Sequence, residues 1–220
     1  SCRRWQPVAS SRREFLRVPT LAGHLNNFVF WQWNCWGFQS RKAALQQYNK
    51  SQPIQPHVIM LQETLTETMS LPGYTHHITK PPDGRGICTF VSKKYTYIEH
   101  NLHMANTKIK HSLLEIIPGS NLTNSIFILH IYSSPKGRHH RFTSLLSKAV
   151  TIARKVDAPI VKAGDFNAPH QAWGYPRTTA KGAELWQAVS DLNLTLVTDP
   201  AFPTALEILA LGILPQTPPL

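Results

Sequence analysis

The sequence is poor in acidic residues. Asp and Glu number only 12 against 23 Lys and Arg, which gives the 220 residues a formal net charge of +11. This imbalance argues against a polycationic partner and favours a polyanionic one, most simply nucleic acid, although a merely basic surface would show the same charge.

The sequence also has few cysteines and no long apolar run. Its three cysteines, Cys2, Cys35 and Cys88, are scattered, so they indicate neither a disulfide framework nor a zinc site and favour a reducing compartment. A membrane-spanning helix needs about 20 apolar residues, and the longest candidate, Ala205 to Leu214, is interrupted by Glu207. The basic N-terminus lacks the apolar core of a signal peptide. We therefore expect no membrane partner.

The length suits one domain with a substantial core. Residues 1–25 are rich in Arg and Ser without periodicity, which predicts a flexible basic arm. Residues 26–204 form the predicted domain. Residues 205–220 are apolar and rich in proline, and we interpret them as a tail foreign to that domain.

Strand and helix patterns alternate within the domain. Ser40 is a candidate cap for a first helix that ends before Pro53, and the segment 64–77 is predicted to be a loop. The mixed order predicts a layered α/β sandwich. Strands are expected at 28–33, 58–62, 87–92 (paired with the run before Tyr97), 113–117 and 126–132 (paired antiparallel), up to Asp165 and at 194–197, and further helices at 142–156 and 179–191 with Ala183, Leu185, Trp186, Val189 and Leu192 buried.

Four of the apolar runs end at a polar side chain: Asn34, Glu63, Tyr132 and Asp165. Because α/β sheets usually place their chemistry at such an edge, these side chains are expected to converge on one site. Asp165 and Asn167 are two residues apart on an extended segment, so they project to the same side and suit a phosphate and a cation. Ordinary turn chemistry or locally satisfied polar groups would also explain each placement.

The motifs around these strand ends resemble those of the endonuclease/exonuclease/phosphatase superfamily. More narrowly, they are similar to the apurinic-type endonuclease domain of non-LTR retrotransposon polyproteins. The resemblance covers about residues 29–204 and implies a four-layer, DNase I-like α/β sandwich. The motifs are Trp33-Asn34, Leu61-Gln62-Glu63, Leu71-Pro72-Gly73-Tyr74, Arg85-Gly86, Ile131-Tyr132-Ser133-Ser134-Pro135, Gly164-Asp165-Phe166-Asn167-Ala168-Pro169-His170, Trp173-Gly174 and Pro203-Thr204.

The resemblance also implies an activity, the hydrolysis of a DNA phosphodiester with Mg²⁺, or alternatively Mn²⁺. By family role, Glu63 would hold the metal and Asn34 would support the metal or phosphate region. Tyr132 would contact the phosphate. Asp165 would orient or deprotonate the attacking water, and Asn167 would hydrogen-bond the phosphoryl oxygens.

Basic and aromatic residues are expected around the rim of this site. The basic ones suit phosphate contacts and the aromatic ones suit base stacking, although a solvated basic loop and core aromatics explain them equally well. The candidates are Arg85, Lys136, Arg138 and Arg141 for phosphate, and Trp173 and Tyr175 for stacking.

The sequence departs from the family pattern after Thr204. The family's Asp-bearing strand and closing Ser-Asp-His are missing, and no histidine follows His170. The sequence therefore predicts a truncated endonuclease domain, without its last strands, whose catalysis is impaired. Two alternatives remain open: a non-catalytic nucleic-acid-binding remnant, and a phosphatase or lipid phosphodiesterase of the same superfamily. The retroelement resemblance implies a nuclear location, and no protein partner is indicated.

Overall fold

The computed structural model describes residues 28–79, 85–105, 107–117, 119, 124–136, 142–196 and the backbone of 211–212. None of the helices in these ranges is long and apolar enough to cross a membrane. The strands are β1 (Phe30–Asn34), β2 (Val58–Gln62), β3 (Tyr74–Thr79), β4 (Ile87–Ser92), β5 (Tyr97–His100), β6 (Lys110–Ile116), β7 (Ile126–Tyr132), β8 (Ile160–Asp165), β9 (Thr195–Leu196) and β10 (Leu211–Gly212), and the helices are α1 (Phe38–Ser51), α2 (Phe142–Lys155) and α3 (Ala180–Asp191), with a 3₁₀ turn at Gln171–Trp173.

The strands form two sheets, with the orders β1-β2-β4-β3 and β5-β6-β7-β8-β10-β9. In each sheet one pair is parallel, β1 with β2 and β7 with β8, and the other pairs are antiparallel. The register places Asn34 beside Gln62 in the first sheet and Tyr132 beside Asp165 in the second. Each parallel pair therefore delivers two polar strand ends side by side.

Three apolar clusters separate four layers. Ile59 and Leu61 of β2 pack with α1, whereas Val58 and Met60 of the same strand pack against the second sheet. This alternation follows from the two-residue period of a strand that is buried on both faces. The far face of the second sheet is covered by α2 and α3. The predicted four-layer α/β sandwich is confirmed.

The predicted strands 58–62, 87–92 and 126–132 and the antiparallel pairing of β6 with β7 agree with the structure. The predicted loop 64–77 is wrong at its end, because β3 begins at Tyr74. This edge strand buries only Tyr74, so its sequence shows no apolar alternation. The strand 87–92 pairs with β2 and β3, and Tyr97–His100 pairs with β6 instead.

Two helix predictions also require correction. The first helix begins at Phe38, so Ser40 lies inside its first turn, where its hydroxyl donates to the carbonyl of Gly37. In α3, Ala183 is exposed and Trp186 is 39% exposed. The first turn of this helix buries Lys181 and Gly182 instead. The buried apolar face of α3 is therefore narrower than the three- and four-residue spacing predicts.

The predicted arm 1–25 lies outside the described residues. Of the predicted tail, Leu211–Gly212 pairs with both β8 and β9 and so occupies an inner position of the six-stranded sheet. The boundary proposed after residue 204 stays a prediction.

One buried charge stands out in this sheet. Lys162 of β8 is fully buried, and no hydrogen-bond partner reaches its Nζ in the described part of the chain. Burial and, to a smaller extent, the like charge of Arg154 on α2 lower the pKa of Lys162 from 10.5 to about 7. The native state thus binds this proton more weakly than the unfolded chain does.

We predict that Lys162→Met raises the free energy of unfolding at pH 7 by about 1–3 kcal/mol, because it removes a buried polar group without a partner. Between pH 7 and 10 the unfolded chain still holds this proton while the native state has lost it, so Lys162 makes wild-type stability rise with pH. The advantage of the variant should therefore shrink over that range in urea denaturation. An advantage that is constant or grows with pH would contradict the assignment.

Candidate active site

The side-chain amide of Asn34, at the end of β1, joins two carboxylates. Its Nδ2 donates to Oε1 of Glu63 at 3.1 Å and to Oδ2 of Asp165 at 2.8 Å. Glu63 directly follows β2 of the same sheet, whereas Asp165 ends β8 of the other sheet. A single amide therefore links the two sheets at the edge where their strands end.

Tyr132, the last residue of β7, donates its hydroxyl to the same oxygen of Glu63 at 2.8 Å. Burial, the hydrogen bond to Glu63 and the nearby negative charges all raise the pKa of Tyr132 well above its ordinary value of 10. Tyr132 is consequently protonated at every physiological pH and acts as a hydrogen-bond donor.

Asp165 is buried and well held. Its Oδ1 accepts from the backbone N–H of Asn167 at 3.2 Å and from Nδ2 of Asn167 at 2.6 Å. Burial raises the pKa of Asp165, with the charge of Glu63 adding to the effect, while the bonds from Asn34 and Asn167 and the charge of Lys181 oppose it. Asn167 adopts φ 48°, a left-handed conformation that asparagine tolerates better than most residues.

Two close backbone approaches set the position of this loop. Gly164 has φ 148°, and a Cβ there would lie 1.8 Å from the carbonyl oxygen of Ile131 on β7. A Cβ on Gly182, in the first turn of α3, would lie 2.0 Å from the carbonyl oxygen of Pro169. Thr179, the cap of α3, donates its hydroxyl to that same oxygen at 3.1 Å. The loop 165–170 is thus packed directly on the start of α3.

Sequence reasoning missed Lys181. It is 7% exposed, its Nζ donates to the carbonyl of Ser134 at 3.1 Å, and its charge lowers the pKa of Asp165. Lys181 therefore ties the segment after β7 to α3 beside Asp165. A lysine in the first turn of a helix opposes the helix dipole, and this unfavourable position was the one available signal that it has a partner elsewhere.

A buried polar network behind Glu63 was also missed. Nε2 of Gln32 donates to Oε1 of Gln62 at 2.5 Å, and the amide of Gln62 pairs with Nε2 of His130, also at 2.5 Å. Nδ1 of His130 pairs with the hydroxyl of Thr89 at 2.9 Å. Burial lowers the pKa of His130 to about 3, so the ring is neutral at physiological pH. The network joins three strands of the first sheet to β7 of the second sheet, and one of its members, Gln62, directly precedes Glu63.

The structure brings together all five predicted central residues, but not every predicted rim residue. Arg85 is exposed and near enough to Tyr132 for its charge to lower the pKa of that group, and Lys136 is exposed after β7. Arg138 and Arg141 lie outside the described residues. Trp173 is only 3% exposed, so the stacking role suggested for it is wrong, and Tyr175 packs partly buried against the same core.

The oxygen atoms at this edge suit a hard divalent cation. Mg²⁺ usually takes one or two protein carboxylates and fills its other positions with water or substrate phosphate. Glu63 and Asp165 provide two carboxylates that share one neutral amide donor, so negative charge is concentrated there. The described residues include no group of three or more His, Cys, Asp or Glu that could hold a metal.

Comparisons with known proteins place this geometry in context. Residues 126–208 match the sequence model of a family described as endonuclease-reverse transcriptase. The fold is similar to the endonuclease domain of TRAS1, a telomere-specific non-LTR retrotransposon, with a TM-score of 0.57 and 16% identity over 82% of each chain. No curated protein sequence gives a significant match.

Two further solved structures share the fold. The human Nocturnin catalytic domain has a TM-score of 0.55 and 18% identity over 82% of this chain and 79% of that one. A 3'-5' exonuclease from Neisseria meningitidis has a TM-score of 0.55 and 15% identity over 76% and 71%. The predicted DNase I-like fold is thereby confirmed, and the family match agrees with the predicted resemblance to the endonuclease/exonuclease/phosphatase superfamily over residues 126–208.

We predict that Gly182→Ala destabilises the protein by about 1–3 kcal/mol, the usual cost of overpacking a filled site. In an unconstrained helix the same change would stabilise by up to about 1 kcal/mol, so the expected sign is opposite to that of helix propensity. Urea denaturation measures the difference.

Gly119→Ala is the matched control, because a Cβ there would lie 3.9 Å from its nearest neighbour, the carbonyl oxygen of Lys94. This control should change the free energy of unfolding by less than about 0.5 kcal/mol. Stabilisation by Gly182→Ala would show that the loop 165–170 is not packed on α3 as described.

Proposed function

We propose that this chain, which has the endonuclease/exonuclease/phosphatase fold, is a DNA endonuclease of the kind that non-LTR retrotransposons carry beside their reverse transcriptase. The observation that carries the proposal is the hydrogen-bonded cluster at the strand ends. The amide of Asn34 donates to Glu63 and to Asp165, and the hydroxyl of Tyr132 donates to Glu63. Residues 126–208, which match the endonuclease-reverse transcriptase family, include Tyr132 and Asp165.

The proposed cofactor is Mg²⁺ or Mn²⁺, held by Glu63. The fit rests on the paired carboxylates at the strand ends, which a divalent cation would relieve of mutual repulsion. When bound, such a cation would supply charge neutralisation at the scissile phosphate.

Asp165 is proposed to accept the proton of the attacking water. A general base must be held firmly within hydrogen-bonding reach of that proton, and Asn34 and Asn167 both fix the carboxylate of Asp165. Its raised pKa makes it a better proton acceptor than an exposed aspartate.

Tyr132 and Asn167 are proposed to donate to the phosphoryl oxygens. Both are neutral donors, so they stabilise developing negative charge without adding to it. The high pKa of Tyr132 keeps its proton in place for this role.

The proposed substrate is DNA. The net charge of +11 favours a polyanion. On the rim, Arg85 and Lys136 are exposed, and Nζ of Lys110 lies 5.3 Å from the ring centroid of Tyr132. Arg85 and Lys110 lie near Tyr132, and these cations together with Lys136 suit the phosphates that flank a scissile bond.

A second candidate function is nucleic-acid binding without catalysis. It is favoured by one observation, the net charge of +11, which would attract a polyanion whether or not the site cleaves it.

The test is a nicking assay on supercoiled plasmid with Mg²⁺, with and without EDTA. We expect metal-dependent nicking that falls at least about 100-fold in Asp165→Asn, the scale of a lost general base. Asp191→Asn, at the end of α3, removes a carboxylate of the same type and should leave the rate unchanged.

Nicking that survives Asp165→Asn would overturn the role of Asp165. No nicking by a folded wild-type chain whose DNA binding weakens steeply with salt would support the second candidate.

A further inference from the structure

Two large apolar side chains are exposed on the loops that carry the site. Trp36 is 74% exposed and Leu65 is 47% exposed. Trp36 lies two residues after Asn34, and Leu65 lies two residues after Glu63. A single exposed apolar residue is ordinary, but both of these residues lie in backbone conformations that apolar residues rarely adopt.

Both residues have strained backbones. Trp36 has φ 39° and Leu65 has φ 52°, values that are uncommon for residues other than glycine and unusual for bulky ones. Glu63 has φ 52° as well. A Cβ on Gly37 would lie 3.8 Å from Cδ1 of Leu65, so Leu65 lies beside the residue that follows Trp36. Such strain persists only where the surrounding structure imposes it, and it concentrates at functional sites.

Hydrogen bonds fix these loops to one another and to the site. The N–H of Trp36 donates at 3.3 Å to Oδ1 of Asn34, the same amide that bonds both carboxylates. The N–H of Gly37 donates to the carbonyl of Glu63 at 2.8 Å, and that of Phe38 donates to the carbonyl of Thr64 at 2.8 Å. The backbone of Trp36 is therefore anchored beside the carboxylates while its indole projects into solvent.

The surroundings indicate what this indole binds. A patch of two side chains is too small for a stable protein interface. The exposed Arg85 and the net charge of +11 favour a chain of phosphates. The aromatic group attached to such a chain is a nucleobase, and every base has a face that can stack on an indole.

We propose that Trp36, supported by Leu65, is a stacking platform for an unpaired nucleobase of the DNA strand that occupies the site. The proposal rests on the proposed function. Bases inside an intact duplex show their faces only when they leave the stack. The platform therefore binds a nucleotide that is flipped out, frayed or single-stranded next to the phosphodiester at the carboxylates.

The test measures binding of the full chain to a short fluorescein-labelled single-stranded DNA by anisotropy, in EDTA so that no cleavage occurs. The variant is Trp36→Asn, because asparagine tolerates positive φ and so preserves the loop while removing the indole. We expect the dissociation constant to rise about tenfold, within the range measured for loss of one base–aromatic stack. Trp36→Phe, which keeps an aromatic face, should recover most of that loss.

Two controls separate stacking from other effects. Ile98→Ala removes an apolar side chain that is 50% exposed on β5, and it should leave binding unchanged. Inorganic polyphosphate is a polyanion without bases. Its inhibition constant, calculated for each protein with that protein's own dissociation constant for DNA, should be the same for wild type and Trp36→Asn.

Unchanged DNA binding by Trp36→Asn would overturn the stacking platform and leave the proposed function intact. An equal loss of polyphosphate and DNA binding would also overturn it, by showing an electrostatic or structural effect. Absence of DNA binding by the folded wild-type chain would refute the proposed function itself, and the platform with it. If Trp36→Phe bound vesicles of zwitterionic lipid more tightly than DNA, the patch would be assigned to a lipid surface and the proposal would likewise be overturned.

Discussion

The candidate site depends on one side-chain amide. Asn34 donates from a single nitrogen to Glu63 and to Asp165, which come from different sheets. Two carboxylates held this near each other repel, and a neutral donor shared between them lowers that cost without cancelling the charge that a cation needs. This contact exists only if the two sheets are stacked at the correct distance. The geometry of the site therefore depends on the packing between the sheets.

That distance is set by the apolar cluster between the sheets. Val58 and Met60 of β2 pack there against Ile128 of β7 and Ala163 of β8. Phe30 of β1 belongs to the same cluster, and all four of these strands end at the site. The parallel pairing of β1 with β2 and of β7 with β8 then brings the polar ends into line, and Gly164 allows β7 and β8 to approach more closely than any side chain would permit. Packing and chemistry are consequently carried by the same faces of these strands, since Asn34, Tyr132 and Asp165 continue the two-residue periods of Phe30, Ile128 and Ala163 in the cluster between the sheets.

The buried strands and the polar residues at their ends could be predicted because short, local sequence patterns determine them. Runs such as Val58–Gln62 and Ile126–Tyr132 are mostly apolar, which marks a buried strand, and a polar side chain stands at or directly after the end of each. The convergence of their ends followed from the general behaviour of α/β sheets and from the family motifs, not from any single residue. The roles assigned to these side chains remain predictions.

The rest could not be predicted because it depends on contacts between distant segments. Lys181 carries no sequence motif and lysines are usually solvated, yet it is buried and its Nζ donates to the carbonyl of Ser134. Tyr74–Thr79 has the composition of a loop and becomes a strand only because β4 offers it an edge. Leu211–Gly212 joins the sheet between β8 and β9 although its sequence resembles a tail. In each case a tertiary partner overrides the local signal.

The most direct test of the account is Mn²⁺ binding, measured by electron paramagnetic resonance on the 220-residue chain and on Glu63→Gln, without nucleic acid. Mn²⁺ serves because it accepts the same oxygen ligands as Mg²⁺ and gives a signal that diminishes on binding. The account predicts a binding site in the wild type that is lost in Glu63→Gln while the fold, followed by circular dichroism, is retained. Equal binding by both proteins would show that the strand-end cluster around Asn34 is not the metal site, and the proposed chemistry would fail with it.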